Sequence, residues 1–248
     1  MIKGRFGSKT DIGLVRASNE DKALSLIDAY GNILLCVCDG MGGYMKGDFA
    51  SKIATDTITA AFESKGRWAF QFQVTRWINK VIKSINYSVF NEAADTENFK
   101  GMGTTLVLAI FFKDNIYIAN VGDSRCYVVD KDEINQITRD QTYVEYLLSH
   151  EKITPEEKLT SKDRHALMNF IGKSRTINFE YKTIKNERKT ILLCSDGLYN
   201  NASDKQIFSA LSSEERLDQK ISTLIGIAKA NGGTDNIAVS LWEPYKND

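Results

Sequence analysis

With 248 residues, 42% of them apolar, the chain is long enough for one sizeable core, and one domain over residues 1–248 is expected. Thirty-two lysines and arginines balance 32 aspartates and glutamates, which excludes a basic field for nucleic acid or an anionic membrane, so partners must be recognised locally. The longest apolar run, Leu106 to Phe112, falls far short of the ~20 residues that span a bilayer, no signal-like apolar segment follows Met1–Arg5, and a cytoplasmic location is expected.

From Met1 to Val15 the pattern is weakly strand-like and leads into Asp11-x-Gly13-x-x-Arg16-x-x-Asn19-Glu20-Asp21. Such a polar cluster reads as a functional loop or as an ordinary solvated turn. The apolar run Ile33 to Cys38 then ends abruptly in Asp39-Gly40-Met41-Gly42-Gly43, a buried strand that delivers an acid to its own end. After the glycines, Asp48 is placed to cap a helix with apolar positions Phe49, Ile53, Ile58 and Phe62. A second amphipathic helix follows, with Phe70, Val74, Trp77, Ile78, Val81, Ile82, Ile85 and Val89 on one face and Trp77 read as core.

Strands are predicted at Thr104 to Phe112, Asn115 to Val121 and Cys126 to Val129, and the short loops between them imply antiparallel neighbours. Asp123, in Gly122-Asp123-Ser124, is either a fourth acid at a strand end or a hairpin-turn aspartate. Residues 140–176 are polar and helix-prone, include the capping box Thr154-Pro155-Glu156-Glu157, and read as a helical flap that holds both histidines, His150 and His165, as surface residues. Strands resume at Thr176 to Ile184 and Thr190 to Ser195, where the strand-to-acid design recurs as Ser195-Asp196-Gly197. Helices starting at Ser203-Asp204-Lys205-Gln206 and covering Leu217 to Ala230 precede Gly233-Thr234-Asp235-Asn236 and the closing strand.

Helices in two pairs between blocks of strands predict an α+β fold: a central antiparallel β-sandwich flanked on both faces by pairs of helices. The four cysteines, Cys36, Cys38, Cys126 and Cys194, lie in or beside apolar runs without Cys-x-x-Cys spacing, so they read as buried free thiols. None has an arginine within the next seven residues, which argues against a thiolate-based phosphatase.

If Asp39, Asp196, Asp235 and Asp123 converge, each pair of carboxylates ~4 Å apart repels by about 4 kcal/mol at an effective dielectric near 20. Two divalent cations would relieve that repulsion, share a water and lower its pKa for in-line attack. Arg16, the early basic residue among acids, has the planar fork that suits a phosphate. These parts suggest phosphomonoester hydrolysis without a covalent intermediate.

In order, the motifs Asp11-x-Gly13-x-x-Arg16-x-x-Asn19-Glu20-Asp21, Asp39-Gly40-Met41-Gly42-Gly43, Gly103-Thr104-Thr105, Gly122-Asp123-Ser124-Arg125, Ser195-Asp196-Gly197 and Gly233-Thr234-Asp235-Asn236 resemble the metal-dependent protein phosphatase 2C family in its compact bacterial form. The resemblance implies a cytosolic phosphoserine/phosphothreonine protein phosphatase of the kind that often opposes a cognate kinase, with two Mn²⁺ or Mg²⁺ ions; a monomer is expected, with no oligomeric state fixed by the sequence. It implies that Asp39 bridges both metals, that Gly40 lends its carbonyl, and that Asp196 and Asp235 complete one shell. Glu20 would reach the other metal through water, with Asp21 and Asn236 as supporting residues and Arg16 on the phosphate. Asp123, with Asp196, resembles the site of a third, weaker metal.

The sequence departs from the family pattern at Met41, which leaves the general acid unassigned, at Tyr44 and Asp48 on the edge of the site, and at His165 in place of a flap serine. The competing reading is a catalytically weak, phosphoprotein-binding regulatory module of the same fold. Such modules show a lost metal aspartate, and none is lost here. A third reading is a metal-dependent phosphatase of small molecules.

Overall fold

Ile33–Cys38 and Leu106–Phe112 are apolar throughout and buried at every position. A strand buried on both faces needs a layer on each side. The computed structural model, which describes residues 4–43, 46–95 and 99–245, supplies those layers. In chain order the elements are β1 (Gly4–Asp11), β2 (Lys22–Ile27), β3 (Ile33–Cys38), β4 (Gly40–Met41), α1 (Lys46–Ser64), α2 (Gln71–Asp95), β5 (Gly103–Thr104), β6 (Leu106–Phe112), β7 (Asn115–Val121), β8 (Arg125–Val129), β9 (Ile134–Gln136), α3 (Tyr143–Ser149), α4 (Pro155–Thr160), β10 (Glu180–Lys185), β11 (Thr190–Cys194), α5 (Asp196–Tyr199), α6 (Asp204–Ser212), α7 (Leu217–Ala230) and β12 (Ile237–Pro244).

Two five-stranded sheets, ordered β1-β12-β11-β8-β9 and β10-β7-β6-β3-β2, pair antiparallel throughout. Their facing surfaces meet in a core that includes Leu35, Val37, Val107, Phe111, Leu193 and Trp242, with the Phe111 and Trp242 rings 4.8 Å apart. Alternation along the same strands sends Leu34, Cys36, Leu106 and Leu108 the other way, into a second core under α1 and α2. Leu192, Cys194, Val239 and Leu241 likewise face α6 and α7. Each large apolar side chain fully buried in these layers contributes roughly 1.5–3 kcal/mol. The α+β sandwich with outer helix pairs is therefore as expected.

Helix starts follow their caps: the capping boxes at Thr154 and Ser203 are both formed. Four expectations need correction. Asp48 lies inside the first turn of α1 and pairs with Lys22 instead of capping the helix. Phe70 precedes α2 and is exposed, whereas Trp77 packs against the core as read. The strand predicted from Thr176 begins at Glu180. Finally, β7 and β8 are not neighbours, because Gly122-Asp123-Ser124 crosses from one sheet to the other. That crossing takes Asp123 out of a hairpin and into the end of the sandwich. Tyr44 lies outside the described residues.

Candidate metal and phosphate site

Asp39 stands at the end of β3, and its backbone is locked by the start of β6. The Asp39 amide donates to Thr105 Oγ1 at 3.0 Å, while its carbonyl accepts from Thr105 N at 2.8 Å and Thr104 Oγ1 at 3.0 Å. Thr105 Oγ1 also meets Ser124 Oγ at 2.6 Å, beside Asp123 in the crossover. One hydroxyl thus ties two acid-bearing turns together. Thr105→Val keeps the shape but strands the Asp39 amide and the Ser124 hydroxyl. It is expected to cost roughly 1–3 kcal/mol, read as a lowered urea midpoint, and to weaken manganese binding by calorimetry.

Asp196 opens the one-turn α5, and its Oδ2 accepts from Asn200 Nδ2 at 3.1 Å. Ser195 before it donates to Asp21 Oδ2 at 2.6 Å while accepting from the Ala238 amide at 2.8 Å, which stitches β12, β11 and the early acidic loop together. Asn236 performs the same service from the other side. Its Nδ2 donates to the carbonyls of Ile12 and Ser18 at 2.9 Å each, and its Oδ1 accepts from the Glu20 amide at 2.8 Å. The polar stretch 11–21 is therefore an ordered loop, held further by Leu14 N to Gly233 O at 2.8 Å.

These contacts gather the acids. Asp39 is held protonated well above the ordinary carboxylate range, first by burial and then by the charges of Asp21, Asp196, Asp123 and Asp235. Asp196 is raised likewise by burial, Asp123, Asp235 and Asp21. Asp21, 1% exposed, is pushed up to about 7 by burial, against hydrogen bonds from Ser195 and with Asp39. Asp123 is pushed up to about 6 by burial and by Asp140.

Arg16 reaches Asp235 Oδ2 with Nη2 at 2.7 Å and is held more firmly protonated by that hydrogen bond, and also by the charges of Asp235, Asp196 and Asp39. Its side chain is 56% exposed, so most of its five N–H donors stay available to a ligand. Glu20 places Oε2 against Gly47 in the first turn of α1, so close that a Cβ on Gly47 would lie 2.1 Å from it. Gly40 pairs with Thr104 across the β4–β5 ladder, which puts its backbone next to Asp39.

Sequence reading missed Asp140 and Tyr199. Arg125 is held by Asp140 through Nε–Oδ1 at 3.0 Å and Nη2–Oδ2 at 2.7 Å, and it stacks 3.5 Å over the Tyr199 ring, whose hydroxyl donates to the Asp123 carbonyl at 3.1 Å. These partners lie 15 to 76 residues apart, so no local pattern marks them. His165, read as a surface residue, sits at the rim of the site with Nδ1 3.8 Å from Asp196 Oδ2. His150 bonds within α3 and takes no part in the acid cluster.

Among the described residues, no three His, Cys, Asp or Glu side chains are closed into a ready cage for a metal ion. Asp235 is engaged there by the Arg16 guanidinium. The donor set itself fits hard divalent cations: it is all oxygen, partly open to solvent, acidic in excess of its counter-charges, and framed by backbone that hydrogen bonds fix.

This sandwich with acids converging at one end is matched by the protein phosphatase 2C family model over residues 15–239, and the chain belongs to that family. The serine/threonine phosphatase stp of Listeria welshimeri is 32% identical over 236 residues, covering 95% of this chain and 94% of that protein. The crystal structure of serine/threonine phosphatase Stp1 from Staphylococcus aureus superposes with a TM-score of 0.91 at 34% identity, covering 99% of this chain and 96% of that one. The catalytic domain of serine/threonine protein phosphatase PstP in complex with two manganese ions matches with a TM-score of 0.84 at 28% identity, covering 98% and 99%.

Proposed function

We propose that the protein is a metal-dependent phosphoserine/phosphothreonine protein phosphatase of the cytoplasm, a monomer that opposes a cognate kinase. The observation that carries this reading is the convergence of buried Asp21 and Asp123 and half-buried Asp39 and Asp196 beside an exposed, firmly protonated Arg16. Asp39, Gly40, Asp196 and Asp235 would hold a pair of Mn²⁺ or Mg²⁺ ions, with Glu20, on the loop before β2 and with its carboxylate against Gly47, reaching the second ion through water. Asp123 and Asp196, with His165 at their rim, would hold a third, weaker ion. Bound there, such ions supply Lewis acidity to the phosphoryl group and acidify the attacking water.

The chain's own residues do the positioning. Arg16, tethered by Asp235, presents its remaining N–H groups to the phosphate oxygens and neutralises the charge that gathers on them in the transition state. Asp21, itself held by the Ser195 hydroxyl, hydrogen-bonds with Asp39, and Asn236 fixes the loop that carries both Arg16 and Glu20.

The test is hydrolysis of phosphoserine and phosphothreonine peptides. Activity that requires manganese, vanishes with chelator and vanishes in Asp196→Asn is the expected result. Turnover that persists in chelator overturns the metal-dependent reading. Tight phosphopeptide binding with no turnover at saturating manganese replaces it with the binding module. Preference for metabolite phosphates over every phosphopeptide replaces the substrate class.

A further inference from the structure

At the opposite end of α1 from the acids, the connection into α2 displays a surface that the phosphatase site does not use. Phe70 and Phe72 are 62% and 63% exposed and stack on each other with centroids 5.8 Å apart. Apolar rings left in water on a loose loop would be unremarkable, but this turn is braced. Gln73 Oε1 accepts from the amides of Ala69 and Phe70 at 2.6 and 2.9 Å, and Lys113 Nζ donates to the Ala69 carbonyl at 2.7 Å.

Beside the rings runs a groove of about 340 Å³ lined by Arg67, Trp68, Phe72, Arg76, Trp77 and Lys80, continued along α2 past Asn79 by a shallower one of about 600 Å³. Its floor is rigid, because the Trp68 and Trp77 rings pack edge to face at 5.7 Å and both lie against Phe62. No acidic side chain lines it. Arg67, Arg76 and Lys80 form no ion pair among the described residues, and the ion pair beside the floor, Lys65 with Asp28, is closed on itself with Lys65 Nζ 3.7 Å over the Trp68 ring. In a chain of zero net charge, three unpaired cations around an aromatic floor form a local positive field that its own acids do not answer.

We infer that this groove docks an acidic peptide segment of a protein partner, with one apolar or aromatic side chain of that segment seated against Trp68, Trp77 and Phe72 and its carboxylates on Arg67, Arg76 and Lys80. A peptide that carries both carboxylates and one apolar side chain answers the three cations and the exposed aromatic rings together, which is the usual form of peptide recognition. The braced turn means that little conformational entropy is lost on binding.

The 19-residue α1 separates the groove from Gly47 beside Glu20, a span of roughly 28 Å at 1.5 Å per residue. A docking segment about eight to ten residues from a phosphorylated residue, at ~3.3 Å per extended residue, would reach both places and raise the local concentration of the phosphate at the acids. That last consequence rests on the phosphatase reading; the docking itself does not.

The test uses the full chain and a synthetic ten-residue Glu/Asp peptide with one central Phe, followed by tryptophan emission, since Trp68 and Trp77 form the floor. Saturable binding is expected, at least about tenfold weaker for Arg76→Glu/Lys80→Glu and for Phe72→Ser, with manganese-dependent aryl phosphate hydrolysis unchanged in both as the check on folding. Either variant alone decides the matter should the other fail to fold. Absence of saturable binding, equal binding by the variants, equal binding of a Phe-free peptide, or binding confined to phosphatidylglycerol vesicles would each overturn the proposal.

Discussion

Asp39→Asn is expected to lose manganese-dependent phosphatase activity by at least about 100-fold, the upper end of what loss of even a ligand's supporting partner costs, while the metal-free protein becomes more stable. The two effects have one cause. Asp39 lies half-buried among Asp21, Asp196, Asp123 and Asp235, and each of those charges raises its proton affinity. A carboxyl whose folded pKa lies above its unfolded value binds more protons when folded, so stability falls as pH rises from the unfolded value toward the folded one.

Asp21 at about 7 and Asp123 at about 6 place that window between about pH 4 and 7. Each pH unit that separates a folded pKa from its unfolded value is worth about 1.4 kcal/mol, so the cluster's cost at neutral pH is on the order of a few kcal/mol. An amide at this position is neutral without taking up a proton on folding, so the variant escapes that cost and the slope flattens. The hydrogen bond with Asp21 can persist, because the amide of the variant donates where a protonated carboxyl did. Thermal unfolding in chelator at pH 5 and pH 8 checks this. Wild type should melt lower at pH 8, the variant should lose less, and saturating manganese should restore wild type alone. A variant less stable than wild type at pH 8 without metal would show that Asp39 is held by contacts and not strained by charge.

Much of this site was legible in the sequence because its acids sit at strand ends that burial itself defines. A run such as Ile191 to Cys194 has nowhere to go but the core, and the polar residue after it must emerge at the sandwich's end. Capping boxes were legible for the same local reason. The hidden parts are non-local. Gly122-Asp123-Ser124 looks the same whether it closes a hairpin or changes sheets, and only the pairing of β7 with β6 and β10, and of β8 with β11 and β9, decides between them. Asp140 and Tyr199 act through partners far along the chain, so their residue types carry no signal. Asp48 misled because an acid near a helix start fits equally inside the first turn, where the helix dipole also favours it.

Gly197→Ala is expected to cost about 3 kcal/mol and to lower the melting temperature by roughly 6–12 °C, with activity down on the order of 100-fold. Local reasoning gives the opposite sign. Gly197 lies inside the helical turn α5, where alanine is favoured over glycine by ~1 kcal/mol. Tertiary packing overrides this, because a Cβ at 197 would lie 1.9 Å from the Asn236 carbonyl oxygen and 2.9 Å from its carbon. The obstacle is backbone and cannot rotate away. To admit the methyl, the turn carrying Asp196 must separate from the strand start carrying Asp235 and Asn236, and the Asn236 contacts to Ile12, Ser18 and Glu20 must move with it.

Gly226→Ala is the control. Gly226 is also helical, in α7, and a Cβ there meets nothing within 4 Å, so that substitution should be neutral or slightly stabilising. Thermal scans and manganese titrations of both variants separate the two accounts. If Gly197→Ala behaves like Gly226→Ala, the two acid-bearing turns have slack between them, and close backbone contact is not what sets the spacing of Asp196 and Asp235.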